Sequence, residues 1–317
     1  MADYSDPLYG HGRNDMKVYG TLLMLVPSLF LAASVLAQPS PHDRAFWKAI
    51  VASNYAVPQH ESADALVEEL SGLLASPDPE LRDDLAYSIL TRWIYRRSLL
   101  STPTLLTVTD TLRANLKTGI GESRTNSVLK RSFSALCLAG LAERDSRLPF
   151  MGSARYHELV AEAVAYLQAE RDLRGYDPIL HWIHATAHTA DLLAALADSP
   201  QLTAREAATI LDAITARVST AGKVYTQGEQ DRLAGAVLSV IHRPDFDTRA
   251  FDHLLARLKT EDREVWTATT LRSLTRYQNH NYLLQSLYVR LALETDSPRI
   301  IDFRQKVLAI LKERVAG

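Results

Sequence analysis

Apolar residues recur at intervals of three or four positions along most of the chain, from about residue 43 to its end. This interval returns to the same side of an α-helix, which has 3.6 residues per turn. Clear examples are Leu66-Leu70-Leu73-Leu74, Leu81-Leu85-Ile89-Trp93, Leu105-Val108-Leu112-Leu116, Leu233-Val237-Ile241 and Leu283-Leu287-Leu291. The alternation of apolar and polar residues that is typical of strands is nearly absent. The pattern therefore predicts an all-α protein.

Prolines interrupt the helical pattern at fairly regular intervals. They stand at the starts of new segments, beside good helix N-cap residues such as Ser101 and Thr203. These prolines are Pro77, Pro79, Pro103, Pro149, Pro200, Pro244 and Pro298. After the first interval the spacing is roughly 44–54 residues, slightly longer than a HEAT or armadillo unit. We therefore predict a HEAT/armadillo-like α-solenoid of antiparallel helix pairs, either an open superhelix or one that curves toward an α/α toroid.

The N-terminal region has the pattern of an export signal. Residues 1–15 are polar, and Met16-Lys17 stands before an apolar run, Leu22–Ala37, which is followed by Gln38-Pro39. A positive charge, a short apolar core and small residues before the junction are typical of a secretory signal peptide. We expect residues 1–37 to be an N-terminal extension plus signal peptide, with cleavage after Ala37. Residues 38–317 are then a single helical-repeat domain.

Two alternatives stay open for this region. Translation starts at Met1 or at Met16, and the apolar run is either cleaved or kept as an anchor, although Pro27 interrupts it. Cleavage predicts a periplasmic or secreted protein that meets the membrane only through its signal segment. The single cysteine, Cys137, cannot form an internal disulfide, which fits a periplasmic protein large enough to be stable without one.

Residues suited to chemistry are concentrated in one short stretch. On a helix, His181, His184, His188 and Asp191 would fall within roughly an 80° sector, because neighbours in this set are three or four positions apart. The sequence after Asp191 is strongly helical, so we expect the cluster in the first turns of a helix. Imidazoles and a carboxylate on one face can hold a divalent metal, or act as a general base and its orienting acid. Hydrogen-bonded core histidines are the third interpretation.

The candidate catalytic residues are His184, His188 and Asp191, and the same three would ligate a metal if one is present. The cofactor stays unknown, with a divalent metal as one option. The spacing of His184 and His188 resembles that of zinc-protease helices. Ala185 stands where that motif has its glutamate, which argues against zinc-protease chemistry.

Other polar and aromatic residues are expected to surround this cluster. In a solenoid, corresponding helices line one concave face, and guanidinium groups there are suited to hold an anion. The candidate ligand-binding residues are Trp182, Tyr176, Arg131, Arg174, Glu229 and Arg232. Glu170 and Arg174 are four positions apart, which predicts an ion pair along a helix.

Four sequence blocks carry a family resemblance. They are Arg82-Asp83-x-Leu85-Ala86-Tyr87, Arg131-Ser132-Phe133-Ser134-Ala135-Leu136, Glu170-Arg171-Asp172-Leu173-Arg174-Gly175-Tyr176 and Trp182-x-His184-Ala185-x-Ala187-His188-x-Ala190-Asp191-Leu192-Leu193. Together they resemble the signature blocks of a bacterial family, domain of unknown function 2785, over roughly residues 75–290. The resemblance implies an all-helical, HEAT-like fold and brings no established activity. His181 departs from the pattern, in which glycine is expected before the tryptophan, so we rank His181 below His184 and His188.

Two functions of different classes stay open. We favour an exported helical-repeat protein that binds a ligand or partner on a concave face with a His/Trp/Arg/Asp polar centre. The alternative is a hydrolase- or lyase-type enzyme, with or without a metal, that uses His184, His188 and Asp191. The expected partner is a protein, a peptide or a small anionic ligand. Nucleic acid is not expected, because the formal net charge is −2 and the chain has an export signal.

Overall fold

The structure, a computed structural model, describes residues 42–260, 262 and 265–316. Nearly all regular structure in these residues is helical, so the prediction of an all-α protein is confirmed. The α-helices are α1 (Arg44–Ala52), α2 (Ala63–Leu73), α3 (Ser88–Thr91), α4 (Thr102–Asn115), α5 (Ser127–Arg147), α6 (Ser153–Ala169), α7 (Ala185–Ala197), α8 (Ala204–Thr220), α9 (Glu229–Ile241), α10 (Thr248–Thr260), α11 (Leu271–Leu293) and α12 (Pro298–Ala316). The two short strands are β1 (Tyr176–Asp177) and β2 (His181–Trp182).

Two helix starts follow the predicted capping pattern. The Ser101 side chain accepts a hydrogen bond from the backbone N–H of Thr104 at the start of α4. Thr203 forms a capping box with Glu206 at the start of α8. Both satisfy N–H groups that the first helical turn leaves without a partner. The caps predicted at Ser101 and Thr203 are therefore confirmed.

The helix around α3 is wider than an α-helix on both sides. Glu80–Tyr87 before α3 and Arg92–Arg96 after it are wound as π-helix, so residues 80–96 form one continuous helical segment. Ser88 Oγ also donates to the carbonyl oxygen of Asp83, five residues earlier. π-Helical turns are rare overall, and those that occur are often found at functional sites. Residues 80–96 are called the π segment below.

Alternate helices pack against one another along the second half of the chain. α5 packs against α7, α7 against α9, and α9 against α11. The intervening helices also meet, α6 with α8 and α8 with α10. Leu138, Leu193, Val237 and Leu284 are fully buried on α5, α7, α9 and α11, and each such burial stabilises the fold by about 1.5–3 kcal/mol. α7 is therefore held between α5 and α9.

The predicted N-terminal extension and signal peptide, residues 1–37, lie outside the described residues, as does the cleavage point after Ala37. In the part of the chain that the structure describes, no helix combines the length and the apolar character needed to cross a bilayer.

Candidate functional site

The stretch predicted to start a helix is a hairpin followed by a helix. β1 and β2 pair antiparallel, with Tyr176 opposite Trp182 and Asp177 opposite His181. α7 begins only at Ala185. The expectation that His181 shares a helical face with the other candidates is therefore wrong, because it lies in β2.

Local turn chemistry explains why the chain leaves a helical path here. The Asp177 carboxylate accepts hydrogen bonds from the backbone N–H groups of Ile179 and Leu180, both at 2.9 Å. Pro178 suits the position after the first turn residue, since its fixed φ is that of a turn. The turn ends at His181, whose φ of 56° lies in the left-handed region that favours glycine. The family pattern has glycine at position 181, before Trp182, and the left-handed backbone at this position explains that preference.

Arg82 fixes this hairpin against the π segment. Its side chain is fully buried, and Nη2 donates to the carbonyl oxygens of Leu180 at 2.6 Å and Trp182 at 3.3 Å. Nη1 donates to the carbonyl oxygen of Ser76 at 3.0 Å, and the Asp83 carboxylate lies 2.6 Å from Nε. The buried charge is therefore balanced by one carboxylate and three carbonyl dipoles.

His184 lies directly before α7 and is held by the loop before α9. Its φ is 48°, so its backbone is also left-handed. Nε2 lies 2.8 Å from the carbonyl oxygen of Gln227. Because a carbonyl only accepts, Nε2 carries the ring proton and Nδ1 carries the lone pair. Burial lowers the pKa of His184, which favours this neutral form.

His188, one turn into α7, has the opposite tautomer. Nδ1 lies 2.8 Å from Ser132 Oγ, and the same hydroxyl is hydrogen-bonded to the carbonyl oxygen of Ile183. The single hydroxyl proton goes to the carbonyl, so the Nδ1–H of His188 donates to Ser132 and Nε2 carries the lone pair. Burial lowers the pKa of His188 well below its ordinary value, and the neighbouring His184 lowers it further. The two rings, 5.8 Å apart between centroids, are therefore both neutral at pH 7.

Asp191 lies one turn after His188 and pairs with α9. Its Oδ2 lies 2.6 Å from Nη1 of Arg232. Burial raises the pKa of Asp191, and the hydrogen bond from Arg232 opposes that rise. About half of the Arg232 side chain is exposed, so the pair lies at the boundary between interior and solvent. The structure thus brings together the residues predicted on α7 and α9.

Trp182 and Tyr176 form an exposed aromatic pair on the hairpin. Each is 43% exposed, and their rings meet edge to face with centroids 5.0 Å apart. Tyr176 also stacks on His181. These two candidate ligand-binding residues are therefore adjacent and accessible to solvent.

A row of ring contacts leads inward from this pair. Trp182 stacks on His184 with centroids 4.5 Å apart, and His184 meets His188 edge to face. His188 contacts Phe133 at 5.0 Å, and Phe133 contacts Tyr87 at 6.3 Å. The row therefore connects the exposed indole with a tyrosine of the π segment.

Two adjoining cavities lie at the inner end of this row, at Tyr87. A cavity of about 320 Å³ is bounded by the π segment, α5, α7 and α9, and one of about 220 Å³ lies along the π segment. Tyr87 and Thr91 line both. The charged groups of the larger cavity are Glu143, Asp191, Asp198 and Arg232, and those of the smaller are Arg92 and Arg96. The two cavities therefore differ in the sign of their charge.

Small residues leave room for the larger cavity. Ala139 and Gly140 on α5 line it, as do Ala194 and Ala195 on α7. A Cβ added at Gly140 would meet nothing within 4 Å. A Cβ at this position would therefore fit without disturbing the helix packing, and a longer side chain would start from a residue that lines the cavity.

Arg131 and Glu170 form a buried ion pair away from the cavities. Nε and Nη2 of Arg131 donate to the two carboxylate oxygens at 2.7 and 3.0 Å. Nη1 donates to the carbonyl oxygens of Thr118 and Gly119. All three guanidinium nitrogens are thus occupied by protein groups, and the structure does not bring Arg131 to the histidine cluster.

Arg174 and Glu229 are also engaged within the protein. Arg174 pairs with Asp172 at 2.6 Å. The predicted ion pair of Arg174 with Glu170 is wrong, because α6 ends at Ala169 and residues 170–175 are not helical. Glu229 is buried, and one of its oxygens accepts the backbone N–H of Gln227 at 2.8 Å. Its other oxygen has no hydrogen-bond partner among the described residues.

A metal site of three or more His, Cys, Asp or Glu side chains is not found among residues 42–260, 262 and 265–316. His184, His188 and Asp191 therefore do not form a three-ligand group in this arrangement. The Asp191 carboxylate is turned to Arg232 instead.

Comparison with known families places these residues in a common context. The family model described as "Protein of unknown function (DUF2785)" matches residues 116–289, more than half of the chain. The chain belongs to this family. No curated protein and no solved structure gives a significant match. The DUF2785 match includes every predicted site residue and leaves out the first of the four sequence blocks, residues 82–87.

Three residues of the site in this DUF2785 protein were missed by the sequence reasoning. Ser132 and Tyr87 lie within the sequence blocks that carried the resemblance, so they had a signal that was not used. Gln227 had none, because its carbonyl contacts His184 across 43 positions of chain.

Proposed function

We propose that this DUF2785 protein is an exported helical-repeat protein that binds an extended ligand with both a positive and a negative group. A peptide segment is the chemistry that fits best. The observation that carries the proposal is the pair of adjoining cavities, which share Tyr87 and Thr91 and have opposite charges.

The charges determine how such a ligand would lie. The larger cavity has three carboxylates against one guanidinium, so a lysine or arginine side chain of the ligand is favoured there. Arg92 and Arg96 favour a carboxylate in the smaller cavity. At about 320 Å³, the larger cavity is near the lower end of ligand pockets, so it fits a side chain better than a bulky cofactor.

The helix packing supports a solenoid for this role. α5, α7, α9 and α11 follow one another as neighbours, and α6, α8 and α10 alternate with them in the chain. Helix pairs stacked in this way form a HEAT-like superhelix, whose concave face commonly binds extended partners. The signal-like pattern before Ala37 supports a periplasmic or secreted location.

A calorimetric titration tests the proposal. The probes are capped pentapeptides that carry one lysine and one glutamate at varied separation, with glutamine in both positions of the control peptide. We expect at least one charged peptide to bind about tenfold more tightly than its control, a difference of about 1.4 kcal/mol. Raising the salt concentration should weaken this binding, since most of the charged groups that line the two cavities are exposed. Equal or absent binding of all peptides would contradict the proposal.

The second candidate function is that of a hydrolase- or lyase-type enzyme, which cleaves the bound ligand by hydrolysis or by elimination. It is favoured by His188, whose Nε2 lone pair is fixed by Ser132 one turn from Asp191. The same peptides, incubated with the protein and then examined by mass spectrometry, distinguish the two functions. Products that form with the parent protein and not with His188→Asn favour an enzyme. Intact peptides favour binding alone.

A further inference from the structure

Ser219, His280 and Asp262 form a hydrogen-bonded chain away from the cavities. Ser219 Oγ lies 2.9 Å from Nε2 of His280, and Nδ1 of His280 lies 3.0 Å from Oδ2 of Asp262. Ser219 is near the end of α8, and His280 is in the middle of α11. A serine, a histidine and an aspartate thus meet from three separate parts of the chain.

The direction of the protons in this chain follows from the chemistry of the groups. An ionised carboxylate only accepts, so the Nδ1–H of His280 donates to Asp262. Nε2 then carries the lone pair and accepts the hydroxyl proton of Ser219. This is the polarity by which a histidine activates a serine nucleophile. The Ser132–His188 pair has the reverse polarity, since its hydroxyl is hydrogen-bonded to the carbonyl of Ile183.

The base and the acid are buried, while the serine is partly exposed. His280 is fully buried, and Asp262 is also paired with Arg314 at 2.5 Å. Asn279, beside His280, binds the loop that follows α8 through its contacts with Lys223 and Tyr225. Ser219 itself is partly exposed. Ser219 is therefore the most exposed of the three residues.

We propose that Ser219 is the nucleophile of an acyl-transfer site that hydrolyses carboxylic esters, with His280 as general base and Asp262 as its orienting acid. Ser219 Oγ forms a bond to the ester carbonyl carbon and its proton passes to His280 Nε2. The bond to the alcohol oxygen breaks, and that oxygen takes the proton from Nε2. Water then attacks the acyl group, Nε2 takes a proton from it, and Ser219 leaves and regains this proton.

Arg276 points to the kind of ester. It lies one turn before His280 on α11, and its Nε has no hydrogen-bond partner among the described residues. Nε is 3.7 Å from Asp262 Oδ1, and the side chain is 26% exposed. This Nε is buried against Asp262, and the partly exposed remainder of the guanidinium favours an ester whose acyl group carries a carboxylate.

A fluorophosphonate probe tests the nucleophile, because it forms a bond to an activated serine and releases fluoride. We expect intact-mass and peptide analysis to show one adduct per chain, located on Ser219. Ser219→Ala should give no adduct, and His280→Gln should react about 100-fold more slowly or worse. The matched control is Ser53→Ala, an exposed serine that donates to the Ile50 carbonyl, which should react like the parent.

Two outcomes would overturn this proposal. One is a folded parent protein that stays unlabelled in excess probe, and the other is equal labelling of Ser219→Ala. Should His280→Gln fail to fold, Asp262→Asn replaces it and must also react with the probe more slowly than the parent.

The hydrolysis of two esters tests the preference for the acyl group. p-Nitrophenyl hemisuccinate should be hydrolysed faster than p-nitrophenyl butyrate, and Arg276→Gln should remove that preference. Equal rates with the two esters in the parent would contradict the role given to Arg276.

Discussion

The Ser132 hydroxyl and the His188 imidazole fix each other's proton positions. The hydroxyl is hydrogen-bonded to the Ile183 carbonyl, so it can only accept from Nδ1–H of His188, 2.8 Å away. A charged His188 would keep this hydrogen bond but would place a second proton in a buried environment beside His184. The pair therefore holds a neutral histidine whose Nε2 carries the lone pair.

Stability should depend on pH through His188. Its folded-state pKa is lower than its unfolded value of about 6.5, so the folded protein binds fewer protons below that pH. The contribution of neutral His188 to the free energy of unfolding is therefore complete above about pH 6.5. It is lost as the pH falls below that value, by up to about 1.4 kcal/mol per pH unit for one proton. In His188→Asn the side-chain amide can donate a hydrogen bond to Ser132 in place of Nδ1–H, and the amide does not bind a proton in this pH range. Urea unfolding at pH 7.5 and 5.5 should show a smaller loss for the variant, and equal losses would contradict this origin.

His181→Gly should stabilise the protein. The φ of 56° costs a histidine about 1–2 kcal/mol that glycine does not incur, while glycine loses about 0.5–1 kcal/mol more conformational entropy. We expect a net gain of about 0.5–1 kcal/mol in the free energy of unfolding, measured by urea denaturation. His181→Ala keeps the strain and loses the same ring contact with Tyr176 as the glycine variant, so it should give no gain and isolates the effect of the backbone. A glycine variant no more stable than the alanine variant would contradict the strain.

Gly175→Ala and Gly72→Ala should have opposite effects. A Cβ at Gly175 would lie 2.1 Å from Gln227 Oε1, which accepts the Tyr176 N–H, and 2.8 Å from the buried Oε1 of Glu229. We expect a loss of about 1–3 kcal/mol. At Gly72 in α2 a Cβ meets nothing within 4 Å, so alanine should add up to about 1 kcal/mol through helix propensity. Thermal unfolding of both variants checks this, and a neutral Gly175→Ala would show that the loop adapts.

Removing one partner of the buried Arg131–Glu170 ion pair should lower the free energy of unfolding strongly. Removing one partner, as in Glu170→Gln, leaves a buried guanidinium without its counter-charge and should cost about 3–5 kcal/mol. The exposed pair Lys306–Asp252 is the matched control, and Asp252→Asn should cost less than about 1 kcal/mol. Similar losses in both variants would contradict the buried role of Arg131.

The spacing of apolar residues was enough to predict an all-α protein. This spacing marks the buried face of a helix, and it does so whichever element that face packs against. It failed at Glu170–His184, where Asp177 and the left-handed residues His181 and His184 override helical spacing. These are backbone effects of single residues, and a pattern of hydrophobicity does not register them. The expected pairing of Glu170 with Arg174 failed because α6 ends at Ala169, before either residue.

The sequence predicted the site residues at and near the start of α7, but it did not predict the residues that contact them from distant parts of the chain. His184, His188 and Asp191 stood out through their spacing and do lie close together on the structure. Arg131 looked equally suited to a ligand, but its guanidinium is occupied by Glu170, 39 positions away. Which charge is buried depends on contacts across the fold, and no local pattern encodes them.

Binding in the larger cavity is tested most directly by filling the cavity. Gly140→Leu places a side chain into open space, favours the helix and changes no charge. Titration of this variant with the best lysine/glutamate peptide should show at least a tenfold loss of affinity, about 1.4 kcal/mol, with unchanged or higher thermal stability. Gly72→Leu, on the exposed face of α2, should bind like the parent. Unchanged affinity in Gly140→Leu would contradict the cavity as the binding site.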